Sequence, residues 1–159
     1  MSEFLQGILV ALILALAVSV ITAYITVRLS LKQFYSQRWW DKKAEAYSQI
    51  LEHLSYLKYY YSEWFDELQA DVIMSTDYKK KLFEGYQRSR ESVTRAAAIG
   101  EFIVSETTTK ALSRLLSELF KQHFEENFYE AVEKSRDAVA ECIKVVREDA
   151  KEALLKMMH

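Results

Sequence analysis

The chain has 159 residues, with 21 lysines and arginines against 23 aspartates and glutamates, for a formal net charge of −2. Three glycines and no proline leave few residues suited to turns, so the composition favours long helices over a sheet. The near-neutral charge also argues against a nucleic-acid partner, because nucleic-acid binders usually concentrate positive charge on one face.

The first predicted element is a membrane-spanning helix. The stretch from Phe4 to Val27 carries no charged side chain. As a helix it is about 36 Å long, enough to cross a hydrocarbon core of about 30 Å with some tilt. The alternative, a cleaved signal peptide, would carry a basic N-terminal region and a shorter apolar run, whereas Glu3 is the only charged side chain before this stretch. We therefore predict a tail and retained transmembrane helix over residues 1–29 and one domain over residues 30–159.

The residues after the span predict its orientation. Asp41 is the only acid among five basic residues there, and such a bias places a flank in the cytoplasm. We therefore predict an external N-terminus and a cytoplasmic C-terminal domain. The basic side chains are also candidates for contact with anionic lipid head groups, although topology determination alone would account for them. They are Arg28, Lys32, Arg38, Lys42 and Lys43.

Small residues recur at every fourth position of the span. Lipid tails are as apolar as leucine, so spans associate where small side chains let two helices approach closely. The pattern predicts a homo-oligomer formed through the span, and the helices of the C-terminal domain are the other candidate surface for self-association. The alternative is a plain anchor in which alanine is merely common. The small residues are Gly7, Ala11, Ala15, Ser19 and Ala23.

One helix is predicted from the membrane to about Ala70, because residues 28–70 contain neither glycine nor proline. Its apolar residues form one stripe. From Ile50 onward they are spaced alternately four and three residues apart, as in a helical bundle or coiled coil. The stripe consists of Trp39, Ala46, Ile50, Leu54, Leu57, Tyr61, Trp64 and Leu68.

A second amphipathic helix is predicted from about Tyr78 to Ala98. Ser75 and Asp77 are its candidate N-caps, since both side chains accept hydrogen bonds from the first free backbone N–H groups. Gly100 is expected to end the helix as a C′ glycine. Its inward residues are Leu82, Tyr86, Val93 and Ala97.

Two more helices complete the predicted fold. An extended stretch over residues 101–104 leads to Ser105, the predicted N-cap of the third helix. Whether the third and fourth helices are continuous through residues 125–127 stays open. Their inward residues are Leu112, Leu115, Leu116, Leu119 and Phe120, then Phe128, Val132, Ser135, Val139, Cys142 and Val146. The fold class is therefore all-α, with an N-terminal transmembrane helix followed by an antiparallel bundle of about four helices.

Two short motifs resemble a family of small bacterial single-span inner-membrane proteins. The first is Arg38-Trp39-Trp40 after the N-terminal span, followed by Lys43, Ala46 and Tyr47, and the second is the segment 99–105, IGEFIVS. The resemblance implies a bacterial inner-membrane protein with one span and a helical cytoplasmic domain. The family brings no established activity, so it implies no functional residues.

The candidate catalytic and metal-ligating residues are too few to define a site. His53 lies at the flank of the first apolar stripe, and His123 lies three residues before Glu126, but two ligands do not make a metal site. His159 is the terminal residue. Cys142 falls on an inward position, where a free cysteine behaves as a small hydrophobe. We therefore predict no catalytic, cofactor-binding or metal-binding residue, no cofactor and no enzymatic activity.

The first helix also carries more tyrosines than one bundle core can bury. Tyr56 and Tyr60 lie beside the apolar stripe, and Tyr59 lies nearly opposite it. These three form a candidate face for an unidentified cytosolic or membrane protein partner, since tyrosine is favoured in interfaces. The alternative is a set of isolated exposed tyrosines, which are normal on protein surfaces.

These patterns together predict a single-pass, membrane-anchored helical interaction or scaffold protein that works by binding. The alternative is a membrane effector, a defence or toxin component acting through oligomerised spans. A wholly apolar span without a polar stripe is not typical of a pore-lining helix, which makes the effector the less favoured hypothesis. An enzyme ranks third.

Overall fold

The computed structural model describes residues 2–70, 73–122 and 127–155, with side chains described for all of these except residues 2–6, 9–13, 70, 101 and 122. The described chain is all-helical, as predicted. The four α-helices are α1 (Ser2–Ala70), α2 (Thr76–Ile99), α3 (Glu106–Gln122) and α4 (Phe128–Leu155), and a 3₁₀ turn covers Gly100–Phe102.

The chain divides into two compact units, Met1–Trp40 and Asp41–His159. The first contains the N-terminal part of α1, including the predicted span. The second is the helical bundle, which begins at Asp41, later along the chain than the predicted boundary at residue 30.

Adjacent helices of the bundle run antiparallel. On α1 and α4, Tyr47 contacts Asp149 while Trp64 contacts Phe128, so residue numbers rise along one helix as they fall along the other. The contacts His53–Ser89 and Glu67–Lys79 give the same relation between α1 and α2. Thr108 at the start of α3 likewise contacts Asp149 near the end of α4.

Two serines begin helices as predicted. The Ser75 hydroxyl accepts a hydrogen bond from the Tyr78 backbone N–H at 3.3 Å, and the Ser105 hydroxyl accepts one from the Thr108 N–H at 3.2 Å. Each bond satisfies one of the backbone donors that a helix leaves free in its first turn. Asp77 and Glu106 lie in the first turns, where negative charge is favoured by the helix dipole.

The connection from α2 to α3 differs from the prediction. Gly100 has φ −62° and ψ −31°, so it continues in right-handed geometry, and the backbone N–H groups of Ile103 and Val104 both donate to its carbonyl oxygen. The stretch 101–104 is therefore a 3₁₀ turn and bend, not an extended segment. A Cβ at Gly100 would lie 3.1 Å from Val104 Cγ2 and 3.2 Å from Thr109 Oγ1. Close packing, not a left-handed conformation, accounts for this glycine.

The core of the bundle is apolar and draws on all four helices. Leu54, Leu57 and Val139 are completely buried, and Leu115, Leu119 and Cys142 are buried as predicted. Each large apolar side chain stabilises the fold by about 1.5–3 kcal/mol when it leaves water. The core residues that the stripes did not include are Tyr47, Phe65, Val104, Ile143 and Ala150.

Several expectations about burial were wrong at the ends of the stripes. Trp39, expected in the core, is 49 % exposed, and Leu68 is 39 % exposed. Phe120 and Phe128 are also exposed, because they occupy the last and first turns of α3 and α4, where neighbouring helices no longer surround a side chain. Trp64 is half-buried, with its ring against Phe128 and beneath the Lys79 ammonium group.

The contrast between Leu57 and Tyr59 tests this core. Leu57 has no exposed surface and Tyr59 is 44 % exposed, so Leu57→Ala should lower the free energy of unfolding by roughly 2–5 kcal/mol, whereas Tyr59→Ala should change it by less than about 1 kcal/mol. Urea unfolding of the detergent-solubilised chain, followed by circular dichroism, measures both. Equal losses would show that the inward face of α1 is misassigned.

Candidate functional site

The N-terminal part of α1 presents an exposed apolar surface. By length and composition, it is the one helix in the described part of the chain that could cross a membrane. Two polar side chains within it are satisfied locally, since the Ser19 and Thr22 hydroxyls each donate to the carbonyl oxygen four residues earlier at 2.8 Å. Such a hydrogen bond lowers the free-energy cost of burying a hydroxyl group in lipid. The exposed apolar residues include Leu14, Leu16, Val18, Val20, Ile21, Ile25 and Val27.

The small-residue series lies on this segment. Gly7, Ala15, Ser19 and Ala23 are exposed, and a Cβ at Gly7 would meet nothing within 4 Å. The side chain of Ala11 lies outside the described residues. Self-association through these positions stays a prediction.

The five basic candidates for lipid contact do not share one environment. Arg28, Lys32, Arg38 and Lys42 are exposed. By helical rise, Arg28 lies about 1.5 Å and Lys32 about 7.5 Å beyond Val27, within the polar zone of about 5–8 Å on one leaflet. Arg38 stacks its guanidinium group over the Phe34 ring at 5.6 Å. Lys43 is half-buried and its charge acts on Asp149, so it has a role inside the bundle.

Two of the three candidate partner tyrosines pack within the bundle. Gly85 on α2 is buried, and the Tyr56 ring fills the space that a Cβ there would occupy. Tyr60 stacks on Tyr86 with ring centroids 4.2 Å apart. Burial, followed by the nearby Tyr86, raises the pKa of Tyr60 to about 12. Because Gly85 has no side chain, the Tyr56 ring of α1 can pack directly against the backbone of α2 at this position.

Tyr59 is the most exposed of the three and belongs to a polar chain. Its hydroxyl lies 2.5 Å from that of Tyr78, which donates to Glu63 Oε2 at 2.7 Å. The hydrogen bonds with Tyr59 and Glu63 raise the pKa of Tyr78. A surface hollow of about 500 Å³ lies beside Tyr56 and Tyr59, and Arg88 contributes the basic side chain of its lining. A partner face centred on this hollow stays a prediction.

The densest polar cluster centres on the Asp149 carboxylate. Its Oδ2 atom accepts hydrogen bonds from the Tyr47 hydroxyl at 2.7 Å, the Ser105 hydroxyl at 2.5 Å and the Thr108 hydroxyl at 2.6 Å. The Ser105 backbone N–H also donates to the Tyr47 hydroxyl at 3.2 Å. One carboxylate thus joins α1, α4 and the start of α3. We call these four residues the Asp149 cluster.

The electrostatics of the cluster favour the ionised carboxylate. Burial alone raises the pKa of the Asp149 carboxyl, but the hydrogen bonds from Ser105, Thr108 and Tyr47, together with the Lys43 charge, outweigh it and lower the pKa. Burial, followed by the hydrogen bond to Asp149, raises the pKa of Tyr47. All three hydroxyls therefore act as donors to a negative charge, an arrangement that stabilises the fold.

Sequence reasoning missed this cluster, although a signal was present. The inward positions of α4 follow the spacing 128, 132, 135, 139, 142 and 146, and one more step of three reaches Asp149. A carboxylate on an inward position requires a partner. The partners themselves are distant in sequence, so periodicity alone could not identify them.

The remaining candidates for chemistry have ordinary structural surroundings. His53 Nδ1 lies 3.4 Å from the Ser89 hydroxyl. Burial, followed by the Glu118 charge, raises the pKa of the Cys142 thiol to about 12, so the reactive thiolate is disfavoured at neutral pH. Among the described residues, no group of three or more His, Cys, Asp or Glu is placed to hold a metal. His123, Glu126 and His159 lie outside the described residues.

Comparison with known proteins identifies no relative of this chain. No protein-family model, curated protein or solved structure matches the chain. The likeness to single-span bacterial membrane proteins therefore stays an expectation from the sequence.

The Asp149 cluster should make stability depend on pH in the acid range. A carboxyl whose pKa is lowered on folding stabilises the fold above its unfolded value near 4, and this contribution disappears as pH falls through the folded pKa. Asp149→Asn should therefore lower the free energy of unfolding by about 1–3 kcal/mol at pH 7. The difference from the wild type should shrink as pH falls below about 4. Urea titrations at several pH values measure it.

Glu148→Gln is the matched control for this prediction. Glu148 is the neighbouring exposed carboxylate on α4, so its loss should leave stability nearly unchanged at each pH. A loss at Glu148 as large as that at Asp149 would refute a specific role for the cluster.

The fit of Tyr56 against Gly85 predicts a substitution whose effect changes sign. In the wild type, Gly85→Ala should lower the free energy of unfolding by about 1–3 kcal/mol, because the new methyl group displaces the Tyr56 ring. In a Tyr56→Ala background, the same change should raise it by up to about 1 kcal/mol through better helix propensity. A double-mutant cycle measured by urea unfolding tests the pair. Additive effects would show that the two residues do not contact.

Proposed function

We propose that this chain is a single-pass anchor protein of a bacterial inner membrane, with its helical bundle in the cytoplasm acting as a scaffold that binds protein partners. Its partners would be membrane lipid, further copies of the chain and a cytosolic or membrane protein. No nucleic acid, cofactor or reaction forms part of the proposal.

The exposed apolar surface of α1 carries the proposal. The large apolar side chains from Leu14 to Val27 in the described part of the segment are each at least half exposed. Soluble monomers rarely expose contiguous apolar patches larger than a few hundred Å². In a lipid environment these side chains no longer carry the free-energy cost of contact with water. The helix also satisfies its own backbone hydrogen bonds, as a membrane requires. The basic residues after Val27 support a cytoplasmic bundle.

The bundle supports a binding role more than a catalytic one. Its densest polar cluster uses the Asp149 carboxylate to join three helices, and the Cys142 thiol is buried with a raised pKa. The exposed Tyr59 beside the hollow on α1 and α2 is a surface of the kind that partners use. We therefore infer that recognition, with the membrane holding the bundle in place, is the function.

Charged substitutions within the span test membrane retention. Insertion is favoured by roughly 4–7 kcal/mol from the Leu, Ile and Val side chains, while each arginine near the bilayer centre costs about 2.5–3.5 kcal/mol. Val18→Arg combined with Ile21→Arg should therefore shift the protein from the carbonate-resistant membrane fraction to the soluble fraction. Val18→Leu combined with Ile21→Leu is the matched control and should stay in the membrane.

Reporter fusions give the second part of this test. A fluorescent protein that matures only in the cytoplasm should be bright when fused after His159, whereas alkaline phosphatase, active only outside, should be inactive there. Activity of the phosphatase, or a mature chain shortened near Ser19, would contradict a retained anchor with this topology. Membrane depolarisation on expression would contradict the scaffold and indicate the effector instead.

A further inference from the structure

The helix beyond the span has two chemically different sides. At about 100° per residue, Arg28, Lys32, Tyr35 and Trp39 lie within about 60° of one another around the axis of α1. All four are exposed, Tyr35 by 67 % and Trp39 by 49 %. We call them the basic–aromatic face. The roughly opposite side carries the uncharged residues Ser30, Gln33 and Gln37, together with the exposed ring of Phe34, and Arg38 lies between the two sides.

The one-sided distribution needs an explanation beyond topology. The positive-inside rule depends on how many basic residues flank a span and is indifferent to the direction in which they point. Lysine, arginine, tyrosine and tryptophan together on one side are the residues that anchor a helix at a membrane surface and set its rotation. An anionic lipid surface complements the two positive charges and accepts the aromatic rings.

We propose that the basic–aromatic face contacts the anionic lipid head groups and that this contact fixes the direction in which the span tilts. This inference rests on the proposed membrane anchor and deepens it. The apolar stretch is about 36 Å long against a hydrocarbon core of about 30 Å, and tilting of the helix is one way to accommodate the excess.

Such a tilt brings the face within reach of head groups. Without tilt, Tyr35 lies about 12 Å beyond Val27 along the helix axis. A tilt of about 30° lowers the near side of the helix by about 5 Å, which places Tyr35 at the outer edge of the head-group zone and Lys32 inside it. Side chains also point back toward the helix N-terminus, which here is toward the membrane. Trp39 forms the outer end of the face.

Two labelled variants of the full chain test the direction of tilt. Tyr35→Cys and Gln33→Cys each receive an environment-sensitive fluorophore, while Cys142 is buried and protected. The proteins are placed in nanodiscs that contain a lipid with a nitroxide on its head group. Residue 33 is nearer the span along the chain, so an upright helix quenches the label at 33 more strongly. The proposed tilt reverses this order.

The reversal should depend on lipid charge and on Lys32. We expect it in nanodiscs of phosphatidylcholine with phosphatidylglycerol, and we expect it to disappear in phosphatidylcholine alone or at high salt. Lys32→Gln should lower the ratio of tilted to upright helix about fivefold in the anionic nanodiscs. Gln37→Glu makes the same change in net charge on the opposite side and should leave the order reversed.

The outcomes separate this inference from the proposed function. Stronger quenching at residue 33 in both lipids would overturn the proposed tilt, as would a loss with Gln37→Glu equal to that with Lys32→Gln. If the wild-type chain were not retained in the membrane, both the anchor and the tilt would be wrong. Retention without the reversal would overturn the tilt alone.

Discussion

The hydrogen bonds to Asp149 link three parts of the bundle, namely α1, the start of α3 and the end of α4. Apolar packing is not directional, whereas these bonds are. A single carboxylate oxygen receives three hydroxyls, one from α1, one from the residue that caps α3 and one from the first turn of α3. The negative charge makes these bonds stronger than neutral ones, and together they hold α1, the start of α3 and α4 at one carboxylate. Apolar side chains supply most of the stabilisation, whereas this cluster joins the N-cap of α3 to α1 and α4.

How much could be predicted from the sequence depends on the range over which each interaction acts. The Ser75 and Ser105 caps, and most inward residues of α1 and α4, follow from local chemistry and helical periodicity, and the structure confirms them. Burial of Trp39 was predicted wrongly, because the apolar periodicity of α1 continues into the N-terminal unit, which is not part of the bundle. A stripe indicates which side of a helix faces inward, but it does not show how far the neighbours extend.

The candidate surfaces also divide into those formed by one stretch of chain and those formed by residues that are distant in sequence. The apolar segment, its small residues and its basic flank are properties of one stretch of chain, so the sequence identifies them directly. The Asp149 cluster and the Tyr56–Gly85 contact join residues that are distant in sequence, and no spacing rule reaches them. The sequence shows the excess of tyrosines on α1, but it does not show which residues of α2 they contact. Tyr60 stacks on Tyr86 and Tyr56 lies over Gly85, which leaves Tyr59 as the exposed member.

The contact between Tyr56 and Gly85 has a consequence for how α1 and α2 can move. The Tyr56 ring occupies the place that a Cβ at position 85 would take, so sliding α2 by one turn would bring the side chain of Leu82, Arg88 or Ser89 against the ring. Axial slip between the two helices is therefore costly. A displacement of α1 along α2 therefore requires either that the Tyr56 ring leave this position or that α2 move with it.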